Sequence, residues 1–212
     1  MNLEQFLKII DILEQNAPKN SPADILKSSY KRNPYTILMV TLLSLRSKDE
    51  RTAIVAKKLF NDMNIQTPKE LLELSQSELE EIIKPLGFQK QKAKTLIEVS
   101  KILIQKYNSK VPSSKEELIK IKGIGEKTAN VLLNSAFNKP LLAVDTHVHR
   151  LCNMWGLIDT KSFDESSKIL NKIIPKSYKS KINHILVSFG QTICMPNVKK
   201  CEICPIRKYC KE

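Results

Sequence analysis

Apolar residues return at helical spacing along nearly the whole of this 212-residue chain, and no long stretch alternates polar with apolar residues as a half-buried strand would. With only five glycines to interrupt that pattern, the sequence specifies an all-α fold. Helix start signals recur. Pro34 opens the apolar run from Tyr35 to Leu45, and Thr67-Pro68-Lys69-Glu70 has the form of a capping box with proline at the first helical position. Ser77 with Glu80 and Ser114 with Glu117 repeat the signal. Further helices are expected at about 3–15, 49–63, 91–107, 126–137, 147–155, 163–174 and 182–193, with the lysine-rich stretch 172–181 as a solvated loop. Ile37, Val40, Leu42, Leu43, Leu132, Leu133 and Phe137 read as ordinary core. The chain shows no internal repeat and no low-complexity segment.

Thirty-five Lys and Arg against 22 Asp and Glu give a formal charge of +13. That excess favours a polyanionic partner, nucleic acid or an anionic membrane, although a basic solvated surface has the same composition. No run of 18 apolar residues is present to span a membrane, and the first twenty residues, with Glu4, Asp11 and Glu14 among them, lack the apolar core of a signal peptide. The expected location is a reducing cytoplasm. There a disulfide framework is disfavoured for Cys152, Cys194, Cys201, Cys204 and Cys210, since their number is odd and four of them crowd into the last nineteen residues.

Those four read Cys194-x6-Cys201-x2-Cys204-x5-Cys210, a spacing at which one loop can wrap a metal centre. Structural zinc is the competing reading, but four-cysteine zinc sites commonly bring two C-x2-C knuckles and only Cys201 and Cys204 form one, so an iron-sulfur cluster is favoured. Lys199, Lys200, Arg207 and Lys208 would make the loop a basic knob. Cys152, remote and in an apolar helical stretch, is expected in the core.

Residues 114–137 read as a helix, the turn Ile121-Lys122-Gly123-Ile124-Gly125, and a second helix beginning near Glu126. Two glycines two apart allow positive φ and a close backbone approach, and the free N–H groups of the following helix suit a phosphate. Ile121 and Ile124 would anchor the turn, leaving peptide groups to meet the ligand. A glycine-capped connection between two packed helices is the plainer alternative. Lys127 falls in the first turn of that second helix, where the dipole disfavours an ammonium and favours the free, nucleophilic amine, with Glu126 opposing the effect. Most helix lysines are simply solvated. Asp145, in Ala143-Val144-Asp145-Thr146-His147, reads as a helix N-cap, a role compatible with a rigid ionised carboxylate that stabilises positive charge on a sugar. His147 and His149 are read as structural.

In order and separation these elements resemble the endonuclease III family of helix-hairpin-helix DNA glycosylases: the hairpin 121–125 with Lys127-Thr128-Ala129-Asn130, then Val144-Asp145-Thr146-His147, then the four cysteines. The likeness runs from Asn33 to Cys210. It implies two all-helical lobes, a six-helix barrel at 29–139 and a cluster lobe of 1–28 plus 140–212, with double-stranded DNA containing damaged bases or abasic sites lying between them. It further implies a 4Fe-4S cluster on Cys194, Cys201, Cys204 and Cys210, Lys127 as nucleophile and Asp145 as its carboxylate partner. DNA contacts are expected from Lys122, Gly123, Ile124, Gly125, Leu45, Arg46, Phe88, Lys199, Lys200 and Arg207. The activity implied is removal of oxidised pyrimidines with abasic-site β-elimination by a monomer that associates with the nucleoid. Leu45 and Arg46 occupy the stretch where the family usually places a glutamine; Lys122 replaces the usual hairpin proline, and Gln89 stands where a tyrosine is frequent. Phe88 reads equally as a wedge between bases or as core. A monofunctional mismatch glycosylase and a non-catalytic DNA-binding module are the rival readings, and Lys127 argues against both.

Overall fold

The computed structural model describes residues 1–16 and 20–210. The helices are α1 (Leu3–Asn16), α2 (Pro22–Ser28), α3 (Pro34–Ser44), α4 (Asp49–Lys57), α5 (Pro68–Leu71), α6 (Gln76–Ile83), α7 (Gln89–Tyr107), α8 (Lys115–Leu118), α9 (Glu126–Phe137), α10 (Thr146–Met154), α11 (Phe163–Ile173) and α12 (Lys176–Thr192). A π-helical turn, Lys58–Asp62, continues α4, and 3-10 turns cover Lys84–Leu86, Cys201–Ile203 and Arg207–Tyr209. Among the described residues the only bridge of strand type is the isolated pair Cys194 and Lys199. The all-α expectation holds. No helix is long and apolar enough to cross a membrane among these residues.

Several local expectations are corrected. The cap at the start of α6 is Ser75 with Glu78, not Ser77 with Glu80: Ser75 Oγ accepts from the Glu78 amide at 3.3 Å while Glu78 Oε2 accepts from the Ser75 amide at 2.8 Å. The stretch 172–181 is largely helix and not loop, because Pro175 sits at the N-cap of α12 and starts it six residues early. Two of its lysines are bound: Lys181 pairs with Asp11 at 3.2 Å and Glu14 at 2.6 Å, and Lys179 donates to the Asn171 carbonyl. The capping boxes at Thr67 with Glu70 and at Asn33 with Thr36 are of unequal legibility. The first was read from sequence; the second, in which Asn33 Oδ1 accepts from Thr36 N, was not.

The chain divides into two compact units, Met1–Asp24 with Lys139–Glu212, and Ile25–Asn138. In the first, α1 packs on α12, and α10 on α12 and α11. Phe6, Ile9, Ile10 and Leu13 meet Val148, Leu151, Leu170, Leu186 and Phe189 in one core, with Trp155 in tilted ring contact with Phe6 and Phe189. Cys152 belongs to this core, and burial pushes its thiol up to about 12, the mark of an inert cysteine. Gly190 in α12 permits a close crossing of α10: a Cβ there would stand 2.5 Å from His147 Nδ1 and 3.2 Å from Arg150 Nη2.

In the second unit α3 is apolar on every side and almost entirely buried, as a central helix must be. It packs against α9, α4 and α7. Its last carbonyls need partners inside the protein. Lys92, from α7, provides them: its Nζ donates to Leu43 O at 2.5 Å and Leu45 O at 2.6 Å, and also to Ser47 Oγ at 3.0 Å. The residue is only 8% exposed, and burial lowers its pKa to about 8.

Two outcomes follow. Glycine to alanine inside a helix ordinarily stabilises by about 1 kcal/mol, but Gly190→Ala should destabilise by about 1–3 kcal/mol through overpacking against His147 and Arg150; a urea midpoint at or above wild type contradicts this crossing. For Lys92, the unfolded side chain has a pKa of about 10.4, so between about 8 and 10.4 the unfolded chain binds more protons and stability rises with pH, the burial cost being fully present below that window. Wild type should therefore gain stability relative to Lys92→Met as urea titrations are repeated from about pH 8 to about pH 10. A flat difference would show that the ammonium is not desolvated.

Candidate DNA-repair site

The 114–137 segment forms the expected hairpin in compressed form. Its first helix, α8, is a single turn capped by Ser114 Oγ, which accepts from Glu117 N at 3.2 Å. Successive backbone bonds, Ile121 N to Leu118 O and Ile124 N to Ile121 O, carry the chain to α9. Ile121 and Ile124 are 1% and 4% exposed, so the turn is pinned by its apolar residues, while Lys122, Gly123 and Gly125 face outward.

The two glycines serve different ends. Gly123 takes a φ of +99°, which other residues rarely adopt, and a Cβ there would come 2.8 Å from Thr95 Cγ2. Gly125 does not have the positive φ expected of it: at φ −93°, ψ 176° it is the N-cap of α9. No side chain caps that helix start, and no atom lies within 4 Å of where a Gly125 Cβ would be. The first amides of α9 therefore stand beside open space, the arrangement that suits an anionic oxygen.

Lys127 is exposed in the first turn of α9, in the same unit as the hairpin. Glu126, which opposes the dipole's effect on it, is itself engaged by Lys115 at 2.7 Å. Thr128, Ala129 and Asn130 are buried and fix the opposite face. Asn130 Oδ1 is buried without a hydrogen-bond partner.

Asp145 belongs to the other unit, where it caps α10. Oδ1 accepts from His147 N at 3.0 Å and Val148 N at 2.9 Å, so both cap bonds fall on one oxygen and Oδ2 is not used by the cap. Two amides on a half-buried carboxylate hold it rigid. His149 is structural as read, its Nδ1 lying 2.6 Å from Ser166 Oγ and its ring edge-on to Phe163.

Cys194, Cys201, Cys204 and Cys210 line a single pocket with Trp155, Phe189 and Ile206. Local backbone bonds set it up: Lys200 N donates to Ile193 O, and Cys204, Arg207 and Cys210 each donate to the carbonyl three residues earlier. Burial raises the Cys204 thiol's pKa against an opposing hydrogen bond from the Ile206 backbone, and Cys194, Cys210 and Cys201 push it upward as well. Among the described residues no three His, Cys, Asp or Glu side chains are grouped closely enough to hold a single metal ion. Arg150 Nη2 donates to Cys194 O at 2.6 Å. Lys199, Lys200 and Arg207 are exposed at the rim.

Leu45, Arg46 and Phe88 border another cavity, of about 160 Å³, within the second unit. Leu45 and Phe88 are 40% and 63% exposed, which removes the reading of Phe88 as core. Lys92 lines the same cavity. Sequence reasoning passed it over, although a lysine in register with Leu96, Val99 and Leu103 on the buried face of α7 is a visible anomaly.

The pattern for the HhH-GPD superfamily of base excision DNA repair proteins matches residues 39–176. Endonuclease III of Thermotoga maritima is 42% identical over 84% of this chain and 83% of its own length. Endonuclease III of Escherichia coli K12 is 33% identical over 100% of this chain and 97% of its own. A solved non-covalent endonuclease III-DNA complex superposes with a TM-score of 0.85 at 33% identity, covering 99% of this chain and 95% of that one. On this near full-length similarity, the chain belongs to the endonuclease III family of the HhH-GPD superfamily of base excision DNA repair proteins.

Proposed function

We propose that the protein is a bifunctional DNA glycosylase and abasic-site lyase that removes oxidised pyrimidines from duplex DNA. The observation that carries this reading is Lys127, an exposed amine one residue inside an uncapped helix start that a glycine turn leaves open. The hairpin amides of Gly123 to Gly125 take a backbone phosphate and position the strand without reading its sequence. Relatives solved with DNA, non-covalently and as a trapped covalent intermediate, support DNA as the partner.

The damaged nucleotide leaves the stack, since its C1′ is unreachable inside a duplex. The neutral Lys127 amine forms a bond to C1′ while the glycosidic bond breaks and its electron pair departs with the protonated base. Loss of a proton from nitrogen and opening of the sugar ring give a Schiff base. This acidifies the 2′ carbon; removal of that proton expels the 3′ phosphate and nicks the strand, and water then frees the lysine. Asp145, ionised and held by its two amides, stabilises the oxocarbenium-like sugar and assists proton transfer. Lys122, Lys199, Lys200 and Arg207 add non-specific phosphate contacts, and Leu45, Arg46 and Phe88 enter the space around the extruded nucleotide. The protein acts as a monomer.

Cys194, Cys201, Cys204 and Cys210 would hold a 4Fe-4S cluster, for which four neighbouring thiols around one pocket, without a carboxylate among its lining residues, are a fitting donor set. When bound, the cluster supplies a rigid cross-link that orders the basic loop. Crowded thiolates repel one another, and binding a cationic metal centre offsets that cost.

Borohydride reduction in the presence of an abasic duplex should trap a covalent complex with wild type and none with Lys127→Gln. Asp145→Asn should lower base release by about 100-fold or more, a typical size for loss of a charge-stabilising or proton-transferring group. A trapped complex at the wild-type rate with Lys127→Gln would remove the lysine from the mechanism. Anaerobically prepared protein should contain iron and acid-labile sulfide in equal amounts; stoichiometric zinc in their place would overturn the cluster assignment.

A further inference from the structure

Two loops of the second unit share an unusual backbone. Ser44 to Ser47 form a tight turn closed by Ser47 N donating to Ser44 O at 3.0 Å. Leu45 has φ −58° and ψ 120°, and Arg46 has φ +56°. This is a type II turn, whose third position favours glycine or asparagine and here carries arginine. The second loop places Gly87 at φ +70° and Phe88 at φ +51°, so an aromatic residue also occupies the left-handed region. Strain of this kind persists only where surrounding structure enforces it.

One buried side chain links the first turn to Leu86, the residue before the second loop. Lys92 Nζ donates to Leu43 O, Leu45 O and Ser47 Oγ, and Ser47 Oγ donates onward to Leu86 O at 2.9 Å. The three N–H groups of the ammonium are thus all engaged. Two of them satisfy carbonyls at the negative end of α3, and the third reaches the second loop through a single hydroxyl. Burial opposes the charge, with no carboxylate to offset it. An apolar side chain of equal length would fill the slot without that cost, which directs attention to what the three N–H groups hold.

We propose that Lys92 is a positioning residue: its ammonium joins the Leu45-Arg46 turn and the Gly87-Phe88 loop into one preorganised pair of wedges that enters the duplex around an extruded nucleotide. The inference rests on the glycosylase reading above. Lys92 itself touches no DNA and is no nucleophile, since a fully engaged ammonium has no lone pair. Its contribution is to meet the ordering cost of two strained loops before DNA arrives, so that less is lost on binding.

The test compares single-turnover cleavage of one abasic oligonucleotide in duplex and in single-stranded form, since a single strand has no stack to enter. Lys92→Met should lower the duplex to single-strand rate ratio by about tenfold, the size expected for loss of a charge-assisted hydrogen bond to a positioned loop. Ser47→Ala, which cuts only the link to Leu86, should move the ratio the same way by less, and the double variant should be no worse than Lys92→Met alone. A 2-aminopurine beside the abasic site should brighten more slowly on mixing with either variant. Equal loss on both substrates would make Lys92 a general stabilising residue and overturn the proposal, as would an unchanged ratio. Should Lys92→Met prove insoluble, an unchanged ratio in soluble Ser47→Ala overturns it equally. Failure of wild type to cleave either substrate would instead overturn the lyase reading beneath it.

Discussion

The positive φ at Gly123 is the constraint on which the candidate site depends. With Ile121 and Ile124 buried on either side, the chain can reverse between α8 and α9 in the seven residues 119–125 only if one of them enters a region closed to most side chains. The reversal delivers α9 with its first amides uncovered and Lys127 one residue inside. A capping serine or aspartate at position 125 would satisfy one or two of those amides internally and stabilise the helix by roughly a few tenths of a kcal/mol over glycine. Glycine forgoes that gain. The open N–H groups are thereby available to an external anion, and the helix start is more useful for binding than it is for stability.

The same preference for an outside partner runs through the charges. An excess of 13 positive charges is spread over a small chain, and some lysines are matched internally, as Lys181 is by Asp11 and Glu14. Others, on the hairpin and around the cysteine pocket, are exposed. Surface cations are screened within about 10 Å at moderate salt, so their attraction acts mainly on a ligand already lying against them. That suits phosphate contacts, which hold a duplex in place without distinguishing its sequence.

What could be read from the amino-acid sequence divides by the range of the forces involved. Periodicity revealed the all-α class, because burying one face is a property each helix declares for itself. The Thr67 capping box, the Asp145 cap and the anchoring of Ile121 and Ile124 were legible for the same reason: each depends on neighbours within four residues. Errors arose where two local signals competed. Ser75 and Ser77 both precede a glutamate by three residues, and only packing of Leu79 and Ile83 chooses between them. Pro175 was masked by surrounding lysines, of which Lys181 finds its partners on α1. Lys92 stands out locally as a charge on the buried face of α7, but what it holds was not legible, since its acceptors are 45 to 49 residues away. The left-handed Arg46 was hidden likewise, because nothing in Ser44-Leu45-Arg46-Ser47 demands a type II turn.

Those two blind spots are one physical fact seen from both ends. An arginine held at positive φ is a local defect, and an ammonium buried without a carboxylate is another. Each is unfavourable where it stands. The two meet in one place, since Leu45 O and Ser47 Oγ, which receive the ammonium, belong to the strained turn itself. A chain selected only for stability would contain neither. Their coexistence beside exposed Leu45 and Phe88 places strained backbone where the proposed wedge residues would need to be stiff before meeting a stacked duplex.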